Sequence, residues 1–209
     1  MNLYEEGPRP PKQTIVNEPI ETPYTELNDI LANQVEFEDS VIYLNDEIEN
    51  HTLVDLMIRI RCILKHRKSA DYKGTQDAPI NLMINSPGGD IHEMMGMIDY
   101  IKSLNVKVNT ICRGKAFSAA SVILTCGTGI RMVSKNSTIM FHQASSMISG
   151  KLTDVTATVD FVKQVEYDVY ALIEERTKKD ASWWKDSMRT DMYLTSAQAL
   201  ELGVVDQII

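Results

Sequence analysis

The sequence predicts an α/β domain on a mostly parallel sheet. Two patterns carry that reading. Short apolar runs take turns with stretches of helical period, as in βαβ units joined by right-handed crossovers. Five of the seven prolines fall at or before Pro23, and none follows Pro87, which leaves a long body suited to regular structure. At 209 residues the chain can bury one sizeable core.

Each element has its own local signal. Pro8, Pro10, Pro11, Pro19 and Pro23 mark residues 1–24 as an extended or disordered arm, which leaves 25–209 as the body. Residues 41–45 (VIYLN) are a β-type run. Residues 52–64 place apolar side chains at 53, 56, 57, 60, 63 and 64, a helical period. Residues 66–79 are polar and read as a surface loop. A second strand covers 80–85. A helix comes next over 91–104, with Ile91, Met94, Met95, Ile98, Ile101 and Leu104 on one stripe. A third strand spans 106–112, and 118–126 is a helix of small residues. Strands are expected at 130–133 and 138–141. A long helix runs over 152–178 with Val155, Val159, Val162, Val165, Val169 and Leu172 on one side. A short helix at 195–202 and a strand at 204–209 complete the body.

Composition removes several classes of function. Lys plus Arg is 21 against 29 for Asp plus Glu, a net charge of −8, and no basic run offers a grip on phosphate backbones. Nucleic acid is therefore not an expected partner. No apolar run approaches the roughly 18 residues of a membrane span. The first residues, MNLYEE, lack the basic and apolar regions of a secretory signal. Cys62, Cys112 and Cys126 have no CxxC spacing, so they read as thiols of a reducing compartment, not as a disulfide frame or a metal site.

In α/β sheets ligands gather beyond the carboxyl ends of strands. Three such ends are chemically unusual here. Asn85-Ser-Pro-Gly-Gly-Asp90 puts two glycines before a helix, where bare N–H groups can hold an oxyanion or simply make a tight turn. Arg113-Gly-Lys-Ala-Phe-Ser118 puts a serine at a helix start, either as a nucleophile or as an N-cap. There is no G-x-S-x-G, and Ser121 reads as packing. Met140-Phe-His-Gln143 puts His142 at a strand end, whereas His51, His66 and His92 read as surface groups. A serine nucleophile needs a base, and the base needs a carboxylate to orient it. Asp191 is the preferred carboxylate, with Asp186 and Asp206 as rivals.

With these residues assembled, the chain resembles the ClpP family, the proteolytic subunit of the ATP-dependent Clp protease. The resemblance rests on Asn85-Ser-Pro-Gly-Gly89, Gly114-x-Ala-x-Ser118, Met140-Phe-His-Gln143 and Asp191-Met-Tyr-Leu194 with Ala199 and Gly203-x-Val-Asp206 downstream. It implies a crotonase-like spiral of ββα units with a protruding handle helix in the segment of about 144–180. It implies Ser118 as nucleophile, His142 as base, Asp191 as its orienter, and the N–H groups of Gly89 and Ala119 as oxyanion donors. Gly88, Ser145 and Ser146 would line the substrate groove. Heptameric rings of one chain would stack into a tetradecamer, in the cytoplasm, with polypeptides as substrates. The chain itself would carry no cofactor or metal, and ATP would be used by a partner AAA+ unfoldase. The sequence departs from the family pattern at Ala119-Ala120, at Ala144 and, where docking aromatics usually stand, at Asn81 and Met83. A non-catalytic ring subunit and a crotonase-type acyl-CoA enzyme are the alternatives.

Overall fold

A computed structural model describes residues 34–70, 72–145 and 147–209. The expected arm at 1–24 and the groove residue Ser146 lie outside these described residues.

The fold is mixed α/β, as the alternating pattern requires. The strands are β1 (Val35–Glu36), β2 (Val41–Leu44), β3 (Ile80–Ser86), β4 (Val108–Phe117), β5 (Arg131–Val133), β6 (Thr138–Phe141), β7 (Met192–Thr195) and β8 (Gln207–Ile208). The helices are α1 (Thr52–His66), α2 (Ile91–Ser103), α3 (Ala119–Thr125), α4 (Leu152–Glu174), α5 (Ala181–Ser187) and α6 (Ser196–Leu202). The sheet runs β1-β2-β3-β4-β5-β8, with β6 branching from β4 and carrying β7. All pairings are parallel except β1 with β2 and β6 with β7.

Period-2 alternation explains β3: Ile80, Leu82 and Ile84 are buried while Asn81, Met83 and Asn85 are half-buried on the other face. The helical stripes behave in the same way. Leu56, Ile60 and Ile63 of α1 and Met94, Met97, Ile98 and Ile101 of α2 enter one core.

The branch at β4 positions the site. The third strand, expected over 106–112, starts at Val108 and runs on to Phe117. Its first half pairs with β5 and its last residues, Lys115 to Phe117, pair with β6. The exchange of partners coincides with a register shift against β3 between Ile84 and Ser86, and with Gly114 at φ 101°. An irregular strand of this kind bends and re-aims the residues at its end. Here it delivers Ser118 beside the end of β6.

Three short elements carry no clear period and are not expected from the sequence: β1, α5 and β7. The loop at 66–79 is on the surface, yet Arg67 is buried within it. Its guanidinium donates to Ser40 Oγ and to the carbonyls of Gln76, Ala78 and Pro79 at 2.7–3.2 Å. No helix among the described residues is long and apolar enough to cross a membrane.

Candidate active site

Ser118 sits in the turn between β4 and α3. Its backbone is in a sparsely populated region, φ 54° and ψ −126°, which costs an ordinary residue on the order of 1–3 kcal/mol. The surroundings hold it there. Ser118 N–H donates to Met140 O at 2.8 Å, and its carbonyl accepts from Ser121 N–H at 2.9 Å and Ser121 Oγ at 2.6 Å. Ser121 is thus more than packing. Ser118 occupies the N-cap position, but its side chain makes no capping bond. Its Oγ instead lies 2.7 Å from His142 Nε2.

Strand pairing explains that contact. Phe117 is in register with Met140 in a parallel ladder, so Ser118 and His142 emerge from neighbouring strand ends. On the other side of β6, Phe141 pairs with Met192 in an antiparallel ladder, so the next step sets His142 against Asp191. Asp191 Oδ1 stands 3.8 Å from His142 Nδ1, outside hydrogen-bond length. The rival carboxylates are elsewhere. Asp206 is bound to Arg131, with Oδ1 2.6 Å from Nη2 and Oδ2 accepting from the Arg131 Nε and N–H groups. That hydrogen bonding holds the Asp206 carboxyl below its ordinary range. Asp186 is exposed and lies 3.8 Å from Arg189.

The glycine pair supplies the third wall. Gly88 has φ 92°, and a Cβ there would stand 2.5 Å from Phe117 O and 2.8 Å from Ser118 Cβ. Only glycine lets this backbone approach the serine so closely. Gly88 O accepts from Ile48 N–H at 2.8 Å, and Asp90 N–H donates to Ile48 O at 2.7 Å. In a planar trans peptide the N–H points opposite to the C=O, so Gly89 N–H is turned away from Ile48. Neither Gly89 N–H nor Ala119 N–H has a hydrogen-bond partner among the described residues. Both residues line the cleft that holds Ser118.

That cleft has a volume of about 540 Å³. Gly88, Gly89, Ser118, Ala119, His142 and Ser145 all line it. Asp191 does not; it approaches His142 from behind. Sequence reasoning missed the opposite wall, made by α4 through Phe161, Val162, Val165, Glu166, Val169 and Tyr170. The valine stripe is visible in the sequence, but only the fold shows that it faces the serine. His92 of α2 stacks on Phe161, with ring centroids 6.2 Å apart. Asn81 and Met83 lie away from the cleft, on the half-buried face of β3. No group of three His, Cys, Asp or Glu side chains among the described residues is placed to hold a metal ion.

A serine joined to a histidine at a strand end, in a cleft lined by two residues whose N–H groups are unpaired among the described residues, has the layout of a serine hydrolase on an α/β scaffold. The model of the Clp protease family matches residues 26–209, and the chain belongs to that family. It is similar to ATP-dependent Clp protease proteolytic subunit 1 of Corynebacterium glutamicum, 30% identical over 82% of this chain and 80% of the relative. It is also similar to proteolytic subunit 1 of Rhodococcus jostii, 28% identical over 83% of this chain and 76% of the relative. Proteolytic subunit 2 of Streptomyces coelicolor is 29% identical over 83% of this chain and 77% of the relative. The protein is a protease subunit of the Clp type.

Proposed function

We propose that Ser118, His142 and Asp191 form the catalytic triad with which this Clp-type subunit hydrolyses peptide bonds. The observation that carries the reading is the 2.7 Å link between His142 Nε2 and Ser118 Oγ in a cleft with two unoccupied N–H groups. His142 takes the proton from Ser118 as Oγ attacks the scissile carbonyl. The N–H groups of Gly89 and Ala119 receive the oxyanion. The C–N bond then breaks, the proton passes from His142 to the leaving amine, and water repeats the sequence on the acyl-serine. Asp191 orients His142 and stabilises the imidazolium. Its 3.8 Å separation is the long link, and a closure of about 1 Å brings it within reach, as catalytic hydrogen bonds tighten once substrate is bound.

The rest of the reading comes from the family. Residues 25–209 form the peptidase domain and 1–24 an axial arm or propeptide. Heptameric rings, stacked as a tetradecamer through the segment at about 144–180, enclose the sites in the cytoplasm. Gly88, Ser145 and Ser146 border the bound chain. An AAA+ unfoldase, docked near Asn81 and Met83, spends ATP to feed unfolded polypeptide, and this chain needs no cofactor of its own.

Labelling with a fluorophosphonate tests the centre. The wild type should be modified at Ser118, and Ser118→Ala should lose both labelling and peptide hydrolysis, by roughly 10³-fold or more. Because Ser118 Oγ caps nothing, stability should change by less than the ~1 kcal/mol of a lost cap. Wild-type hydrolysis by Ser118→Ala overturns the assignment.

A further inference from the structure

The α4 wall of the cleft carries two polar groups that the triad does not use. Glu166 lines the cleft, and its Oε1 accepts the Ala144 N–H at 3.1 Å. It pairs with no cation among the described residues. No described Lys or Arg lines the cleft. One turn further along α4, Tyr170 also lines the cleft and is 1% exposed, yet its buried hydroxyl has no hydrogen-bond partner among the described residues. Burial first, and then the neighbouring Glu166 carboxylate, push the Tyr170 hydroxyl up to about 12, so it stays neutral at any working pH. Glu166 and Gln143 both lie beside that hydroxyl, and neither meets hydrogen-bond geometry with it. The walls around these groups are apolar: Met94, Val122, Val165, Val169 and Met188.

A buried hydroxyl without a partner is costly. That cost falls if a ligand brings a donor, and the carboxylate beside it favours a cation on an apolar stem. Lysine and arginine are built that way: the methylenes pack on valine and methionine while the charged end seeks an acceptor. The carboxylate can take a charge-assisted hydrogen bond, and the tyrosine oxygen a second one from the same group. We propose that Glu166 and Tyr170 make this part of the cleft a subsite for a long basic side chain, so that the enzyme prefers to cleave after lysine or arginine. This rests on the triad reading above, because the position of the subsite along the substrate is counted from a nucleophile at Ser118. Glu166 and Tyr170 are specificity residues in this assignment; neither touches the reacting atoms.

The test compares three short fluorogenic peptides that differ only before the cleaved bond, with lysine, glutamine or methionine there. The methionine stem is of similar length without charge, and glutamine separates hydrogen bonding from charge. The expected result is a kcat/KM for the lysine peptide about tenfold above the other two at low salt, a ratio that shrinks as salt is added. Glu166→Gln keeps an acceptor for Ala144 N–H and removes the charge; it should bring the lysine-to-methionine ratio down about tenfold. Tyr170→Phe should lower that ratio in part. A second measurement does not need turnover: Ser118→Ala should bind a peptide ending in lysine more tightly than one ending in methionine, read by fluorescence anisotropy. If the glutamine or methionine peptide is cleaved faster, or Glu166→Gln leaves the ratio unchanged, the subsite assignment is overturned. Equal affinity of the two product peptides for Ser118→Ala overturns it as well. Failure of the triad reading looks different: Ser118→Ala would still cleave, whatever the peptide.

Discussion

Gly88 has room for hydrogen alone at its Cα, because Phe117 O and Ser118 Cβ crowd it. Gly88→Ala should therefore push Ser118 from its strained position. A displacement of about 1 Å at a reacting group is enough to cost roughly 100-fold in kcat/KM, and the positive φ adds about 1–3 kcal/mol of destabilisation. Peptide hydrolysis and a thermal melt read both effects; wild-type values for each would show that the turn relaxes freely. The cysteines behave differently from one another. Burial raises the thiols of Cys112 and Cys126 to about 11, so they stay protonated and enclosed at neutral pH, whereas Cys62 is exposed. Thiol alkylation followed by mass measurement should add one label to the native protein and three after unfolding. Asp206 gives a pH dependence. Its folded carboxyl is depressed by Arg131, so its stabilisation is present above the ordinary carboxylate range and is lost as pH falls through the depressed value. Asp206→Asn should cost about 1–3 kcal/mol at pH 7, a figure kept modest because the carboxylate is partly exposed, and the gap to wild type should close in acid. Of these features the sequence displayed Ser118, His142 and the glycine pair, because each comes directly after a strand. The sequence already preferred Asp191 but left Asp186 and Asp206 as rivals; setting Asp206 aside took its pairing with Arg131, which leaves no local sequence mark.

At the scale of elements, α4 does two jobs along one stripe. Its later turns bury Val169, Tyr170 and Ile173, while Leu152 near the start is 82% exposed and Phe161 is 57% exposed. In the sequence Val159 and Val162 look alike, both members of one apolar side. The fold separates them: Val162 lines the cleft and Val159 does not. Exposed apolar stripes of this length mark interfaces. Val159→Glu should thus lower the native mass of the assembly by disrupting contact between subunits. Val162→Glu should act on the cleft, reducing peptide kcat/KM even in assemblies of normal mass. Identical assembly loss from both would mean that the stripe serves contact alone. Helices α1 and α2 and strand β3 were legible because their periods are long enough to count. Strands β1 and β7 and helix α5 were not, since their placement is decided by pairing and packing with other segments and not by a local period.

At the scale of the whole molecule, register aligns Tyr43, Met83, Ile111 and Met132 across β2, β3, β4 and β5. Interface hot spots lean on side chains such as Tyr43, and Met83 beside it can fill a pocket adaptably. In the proposed complex with an unfoldase, Met83→Asp should slow ATP-driven degradation of a tagged folded protein several-fold without a matching loss on short peptides; equal degradation would remove this row from docking. Asn81 offers less, because its side-chain oxygen already accepts from Asn109 Nδ2 at 2.9 Å. Beyond partners, the buried Arg67 says something about how the chain could be rewired. One arginine on the first side of the 67–79 segment grips carbonyls on the second side, so the two flanks are fastened to each other without the stretch between them. Residues Lys73 and Gly74 are exposed. New termini placed there, with the old ends joined by a linker, should yield a circular permutant that folds and cleaves peptides. Trypsin should nick native protein at Lys73 and spare Arg67, and the two pieces should travel together until denaturant parts them.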